Sequence, residues 1–168
     1  MFDIINTDIN VEWHQGSHEG EYFSDFVTKN NKEYRLFLVK DPNNIKKFMN
    51  IVKDGSVPSE DLNNIISKNS YEPIWNIYFG DKNIQNTQDD ESLYGITGSG
   101  DSVEVFNSVL VRLKSFSDKF NPRFARVMAT PTRVSLYDKM VSNLSDVIGY
   151  KYFTFLFDKT KKIYLFYR

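Results

Sequence analysis

Between an apolar run at Leu93, Tyr94 and Ile96 and a long amphipathic stretch lies the loop Thr97-Gly98-Ser99-Gly100-Asp101-Ser102. After it, Val103, Phe106, Val109, Leu110, Leu113, Phe116 and Phe120 recur at helical spacing. A strand, a glycine turn and a helix start together make an anion site, because backbone N–H groups converge where the helix dipole is positive. The chemistry open to such a site is the cradling of a phosphate. Asp101 points the other way. At a helix start a carboxylate satisfies backbone N–H groups, whereas beside a phosphate it repels. A lone Gly-x-Gly is a weak signal, so a self-capped helix is preferred here over a phosphate cradle.

Two further residues stand out. Tyr137 shares helical spacing with Val134, Met140, Val141 and Leu144, which suits a ring packed in a core with its hydroxyl bonded to the backbone. Arg133 stands near the start of that helix, where a cation opposes the dipole. A carboxylate such as Asp101, bracing the two helix starts, or an anionic ligand would compensate it, and the ion pair is preferred. No general base is evident. Asp89, Asp90 and Glu91 cluster in a polar stretch, with Glu72 and Asp81 nearby in sequence, and such clusters are usually solvated turns. His14 and His18 are four apart, but Gly16 and Gly20 argue against a helix between them and no third ligand follows. No metal site is expected. Trp75 and Tyr78 read as core aromatics.

These residues need a scaffold, and the composition supplies one. The chain has 168 residues, 40% apolar and 15% aromatic, which suits one folded domain. The formal net charge of -1 argues against broad non-specific nucleic-acid binding. The absence of cysteine excludes disulfides, thiol catalysis and cysteine zinc sites. With no signal-like start and no long apolar run, a soluble intracellular protein with no membrane partner is expected.

Residues 1–20 show no clean period and read as mostly irregular. Tyr22–Thr28 and Glu33–Lys40 form an expected hairpin. Asp41-Pro42 reads as cap and first residue of a helix through Ile45, Phe48, Met49 and Val52. Ser59 caps a second short helix to Ser67, so that about 42–68 is a helical insertion between strands. Further strands are expected at Ile74–Phe79, Leu93–Ile96 and Arg123–Ala129. Helices are expected at 102–119 and from Thr130-Pro131 to Ile148, the latter stopped by Gly149. Tyr152–Phe157 and Ile163–Tyr167 close the chain as a hairpin. The order ββ(αα)ββαβαββ is an α/β (α+β mixed) pattern: a mixed, mostly antiparallel sheet flanked by helices.

From about residue 71 onward this order resembles the acetyltransferase fold of the GNAT superfamily. Arg133-Val134-Ser135-Leu136-Tyr137, followed by Gly149-Tyr150, is similar to that family's Leu-Tyr and Gly-aromatic pattern. With Tyr94-Gly95-Ile96-Thr97-Gly98-Ser99-Gly100-Asp101 and Val105-Phe106, the chain more closely resembles a GNAT-like set of tailed-phage proteins without a firmly assigned activity. The resemblance implies a loop at Thr97, Gly98, Ser99, Gly100, Asp101 and Ser102 over the acetyl-CoA pyrophosphate. It also implies Tyr137 as the acid that protonates departing CoA thiolate. Gly100 matches the loop pattern, while Thr97 replaces Gln or Arg and Ser102 replaces Gly or Ala.

The departures in the loop and the lack of a base put one reading first. It is a degenerate, non-catalytic GNAT-like phage protein without cofactor, acting on a host or phage protein in the host cytoplasm or in the virion. The competing reading is an acetyl-CoA-dependent N-acetyltransferase using residues 98–102 and Tyr137. A third is an inhibitor of a host defence or transcription protein, with 42–68 and 80–92 as contact surfaces. A homodimer through an open edge at Lys161–Arg168 is a further expectation.

Overall fold

The computed structural model describes residues 10–51, 58–82, 102–129, 131, 134–157 and 161–168. The strands are β1 His14–Gln15, β2 Glu21–Val27, β3 Glu33–Asn44, β4 Pro73–Asp81, β5 Phe124–Ala129, β6 Lys151–Phe157 and β7 Lys161–Tyr167. The helices are α1 Ile45–Ile51, α2 Glu60–Lys68, α3 Ser102–Phe120 and α4 Val134–Ile148. Among the described residues, seven strands follow the order β1-β2-β3-β4-β5-β7-β6. Pairing is antiparallel for β1–β2, β2–β3, β5–β7 and β6–β7 and parallel for β4–β5. The fold is thus the mixed, mostly antiparallel α+β class that the element order predicts. The expected Leu93–Ile96 strand lies outside the described residues.

The chain divides into two compact units, Met1–Val39 with Ile77–Asn121 and Lys40–Asn76 with Pro122–Arg168. In the first, β2 and β3 alternate as a half-buried hairpin must. Ser24 and Phe26 on β2, with Tyr34, Leu36 and Leu38 on β3, are buried. On α3, Val105, Phe106, Val109, Leu110, Leu113 and Phe116 are buried at helical spacing. The hairpin turn closes through Thr28 and Lys32, with Asn31 in the left-handed region at φ 58°, a conformation asparagine tolerates. Across the hairpin, Arg35 stands opposite Asp25 in register. Its guanidinium donates to both carboxylate oxygens, at 2.7 and 3.0 Å.

Residues 1–20 are not wholly irregular. Two of them, His14 and Gln15, pair with Phe23 and Tyr22, a ladder too short to carry a periodic signal. Trp13 beside them packs on Phe116 and Phe120 and donates its indole N–H to Ser115 Oγ at 3.1 Å.

In the second unit, Ile45, Phe48, Leu62, Ile74, Phe124, Phe155, Ile163, Leu165 and Tyr167 form one core cluster. The helices α1 and α2 thus contribute Ile45, Phe48 and Leu62 to this core. Ser59 caps α2 as expected, its hydroxyl accepting from Leu62 N–H at 3.2 Å. The expectation for Asp41-Pro42 is corrected. β3 continues through both to Asn44, and α1 starts at Ile45. Asn44 takes the capping role instead, accepting from Lys47 N–H at 2.9 Å. The Asp41 carboxylate is drawn away by partners on β4 and β5, described below. The expected edge at Lys161–Arg168 is also corrected. β7 lies between β5 and β6, paired to Phe124–Ala129 on one side and to β6 on the other, so among the described residues β6 ends the order.

Candidate functional site

Tyr137 is the one residue of the implied acetyl-transfer chemistry whose side chain is described. It lies in the first turn of α4, and its exposure is 0%. Met140, Val141 and Leu144 from the same helix are buried with it, because an i, i+3, i+4, i+7 stripe turns one helix face inward. Its ring stacks on that of Tyr164 from β7, with centroids 6.4 Å apart and planes 19° from parallel.

A polar group adjoins this stack. Asp138, the next residue on α4, accepts from the Tyr164 hydroxyl and, at 2.8 Å, from Lys162 Nζ. The Lys162 bond and then the Tyr164 bond hold the Asp138 carboxyl below the usual aspartate range, against a small opposing effect of burial. Burial, followed by the hydrogen bond to negative Asp138, pushes the Tyr164 phenol well above its ordinary value. Proton transfer near neutrality needs groups whose pKa values lie near neutrality. These two are displaced away from it in opposite directions, one kept ionised and the other kept protonated.

Thr97, Gly98, Ser99, Gly100, Asp101 and Arg133 lie outside the described residues. Ser102 is the first residue of α3. The candidate bases Asp89, Asp90 and Glu91 lie outside the described residues as well. Glu72 is exposed and engages its backbone, its carbonyl accepting from Ile45 N–H at 2.9 Å. His14 stacks on Phe23 at 5.2 Å. Among the described residues no group of three or more His, Cys, Asp or Glu is placed to hold a metal ion. Nor is any helix among them long and apolar enough to cross a membrane.

Two polar centres escaped the sequence reading. In the second unit, Asn76 of β4 stands in register with Arg126 of β5, and the Arg126 Nε–H donates to Asn76 Oδ1. Asp41 Oδ2 accepts from Arg126 at 3.2 Å and from Asn76 Nδ2 at 3.1 Å, while Oδ1 accepts from Asn43 N–H at 2.8 Å. The guanidinium also lies 5.0 Å from the Phe48 ring centroid. The Asp41 and Arg126 side chains are only 13% and 23% exposed. This closed set braces the end of β3 against β4 and β5. A signal existed, since Asn76 and Arg126 each interrupt an otherwise apolar strand run.

In the first unit, Arg112 of α3 donates to Ser24 Oγ at 3.0 Å, Ser108 O at 3.1 Å and Asp25 O at 3.2 Å. Its guanidinium is 4.6 Å from the centroid of the Phe26 ring. Burial lowers its pKa from the ordinary arginine value, partly offset by Asp25. In both centres the polar side chains are bonded to several protein groups, which suits bracing.

Compared with models of protein families, with curated proteins and with solved structures, the chain matches none.

Proposed function

We propose that the chain is a GNAT-like protein, of the kind found in tailed phages, that does not transfer acetyl groups and works by binding another macromolecule. The host cytoplasm or the virion is where it would do so. Its element order supports the GNAT-like part. The run α3, β5, α4 and the β6–β7 hairpin is part of the order on which the resemblance rests, whose Leu93–Ile96 strand and loop lie outside the described residues.

Tyr137 carries the non-catalytic part. A phenol that protonates a departing thiolate must present its O–H to that thiolate. Tyr137 has 0% exposure and its ring is committed to a stack on Tyr164. Its neighbours Asp138 and Tyr164 hold their protonation states firmly near neutral pH. This is the chemistry of a core, and it leaves transfer without an acid.

Calorimetric titration with acetyl-CoA and with CoA tests the reading. The expected result is no binding at millimolar ligand and no acetylation of small amines. Micromolar binding, about 8 kcal/mol, together with amine acetylation that disappears in Tyr137→Phe, overturns it.

A further inference from the structure

We propose that the second unit binds single-stranded nucleic acid at one end of its sheet, with Tyr71 as a stacking platform and Lys46, Lys68, Arg123 and Arg168 around it. The starting observation is a division of charge. By sequence, Lys40–Asn76 with Pro122–Arg168 has 14 Lys and Arg against 8 Asp and Glu. Met1–Val39 with Ile77–Asn121 has 7 against 14. The net charge of -1 thus conceals one basic and one acidic unit. Such asymmetry points to a polyanionic partner for the basic one.

Strand register gathers the cations. Ile74 near the start of β4 pairs with Phe124 on β5, which pairs with Tyr167 on β7. Arg123 and Arg168 adjoin that register and each other. Arg168 N–H donates to Arg123 O at 3.3 Å, and Arg123 Nη1 donates to Arg168 O at 2.9 Å. Lys46 reaches the same end from α1, because Ile45 N–H donates to Glu72 O at 2.9 Å and Lys46 N–H to Ser70 O at 3.3 Å. Lys68 ends α2, just before Tyr71. All four cations are exposed. Among the described residues none of them is ion-paired with an Asp or Glu side chain. Lys151, at this end too, is paired with Asp61 at 2.7 Å and adds no net charge.

Tyr71 selects the class of polyanion. It is 82% exposed and lines a cleft of about 440 Å³ with Lys68, Asn69, Ser70 and Glu72. An exposed ring among cations gives a base a stacking face while the cations meet phosphates, the arrangement that holds single strands. An acidic protein or a lipid headgroup would use the cations and leave the ring idle. Glu72 repels phosphate but accepts from an exocyclic amino group, which suits a base in the cleft and phosphates outside it. The inference rests on the preceding reading only in giving the bound macromolecule a class.

Fluorescence anisotropy of a labelled, mixed-sequence single strand of about 20 nucleotides tests it. The strand should bind at low salt, weaken as salt rises, and bind more tightly than its duplex. Tyr71→Ala should weaken binding roughly 5- to 100-fold, whereas Tyr71→Phe keeps the ring and should bind like wild type. The double variant Lys46→Ala/Lys68→Ala should bind more weakly with a flatter salt dependence. No binding at low salt overturns the proposal. So does binding that Tyr71→Ala leaves unchanged, or equal affinity for polyglutamate or for vesicles containing phosphatidylserine. Any of these failures leaves the absence of acetyl transfer untouched, which the titration with acetyl-CoA decides.

Discussion

If Tyr137 is a core residue, its value lies in the ring; if it is an acid, its value lies in the hydroxyl. Tyr137→Ala and Tyr137→Phe separate the two. A buried aromatic side chain covers about 150–250 Å², and at about 25 cal/mol per Å² this is roughly 4–6 kcal/mol. Extended-chain areas overestimate burial, and measured aromatic-to-alanine losses run about 3–5 kcal/mol. With 0% exposure and the Tyr164 stack lost as well, about 4 kcal/mol is expected for Tyr137→Ala. Tyr137→Phe keeps the ring and the stack and should cost about 1 kcal/mol, the net worth of one hydrogen bond. The chain has two tryptophans, Trp13 in the first unit and Trp75 in the second. Urea denaturation in a Trp13→Phe background therefore reports on the unit that holds Tyr137, and an unchanged slope validates the comparison. A Tyr137→Ala loss below about 1.5 kcal/mol would show that the ring is not built into the core, and the argument against an acid would fail with it.

Two other expectations follow from local geometry. Burial alone would raise the Asp25 carboxyl, but Arg35 and Lys82 outweigh it and hold it below the ordinary aspartate value. A carboxyl depressed in the folded state stabilises above its unfolded value, about 3.9, and that contribution is lost as pH falls below it. Asp25→Asn should therefore lower stability near neutrality by about 1 kcal/mol and flatten the loss in denaturation midpoint below about pH 4. An unchanged acid limb counts against the pairing. Gly149, at φ 71°, ends α4, and an added Cβ there would meet nothing within 4 Å. Gly149→Ala should cost about 1 kcal/mol from backbone conformation alone, with Gly149→Asn closer to wild type. Equal stability of the alanine variant would refute a left-handed helix stop.

What was legible in the sequence was whatever repeats locally. The apolar period from Val103 to Phe120 placed α3 within one residue of its observed end, although Val103 is exposed and Val105 is buried instead, and Gly149 placed the end of α4. The hairpin partners of β2 and β3 were legible because the alternation and the turn residues lie side by side. Asp41 was misread for the opposite reason. Its side chain obeys Asn76 and Arg126, 35 and 85 residues away, and no local window contains them. The burial of Tyr137 could be read from its spacing, but its stacking partner could not. Tyr164 reaches it because β7 turns back between β5 and β6, a long-range choice that composition does not encode. The implied loop from Thr97 to Asp101, and Arg133, fall outside the described residues.

The carboxylates make the strongest joint argument about function. Asp25 is held by Arg35 and Lys82, Asp41 by Arg126, Asp61 by Lys151, Asp118 by Lys114 and Asp138 by Lys162. A general base needs an elevated pKa, which comes from burial without a cation or from a neighbouring carboxylate. These five have the reverse arrangement, each with a cation within ion-pair distance. For Asp25 and Asp138 the result is a lowered value. Charges arranged this way fix strands and helices in register, which is the role the proposed non-catalytic reading gives them.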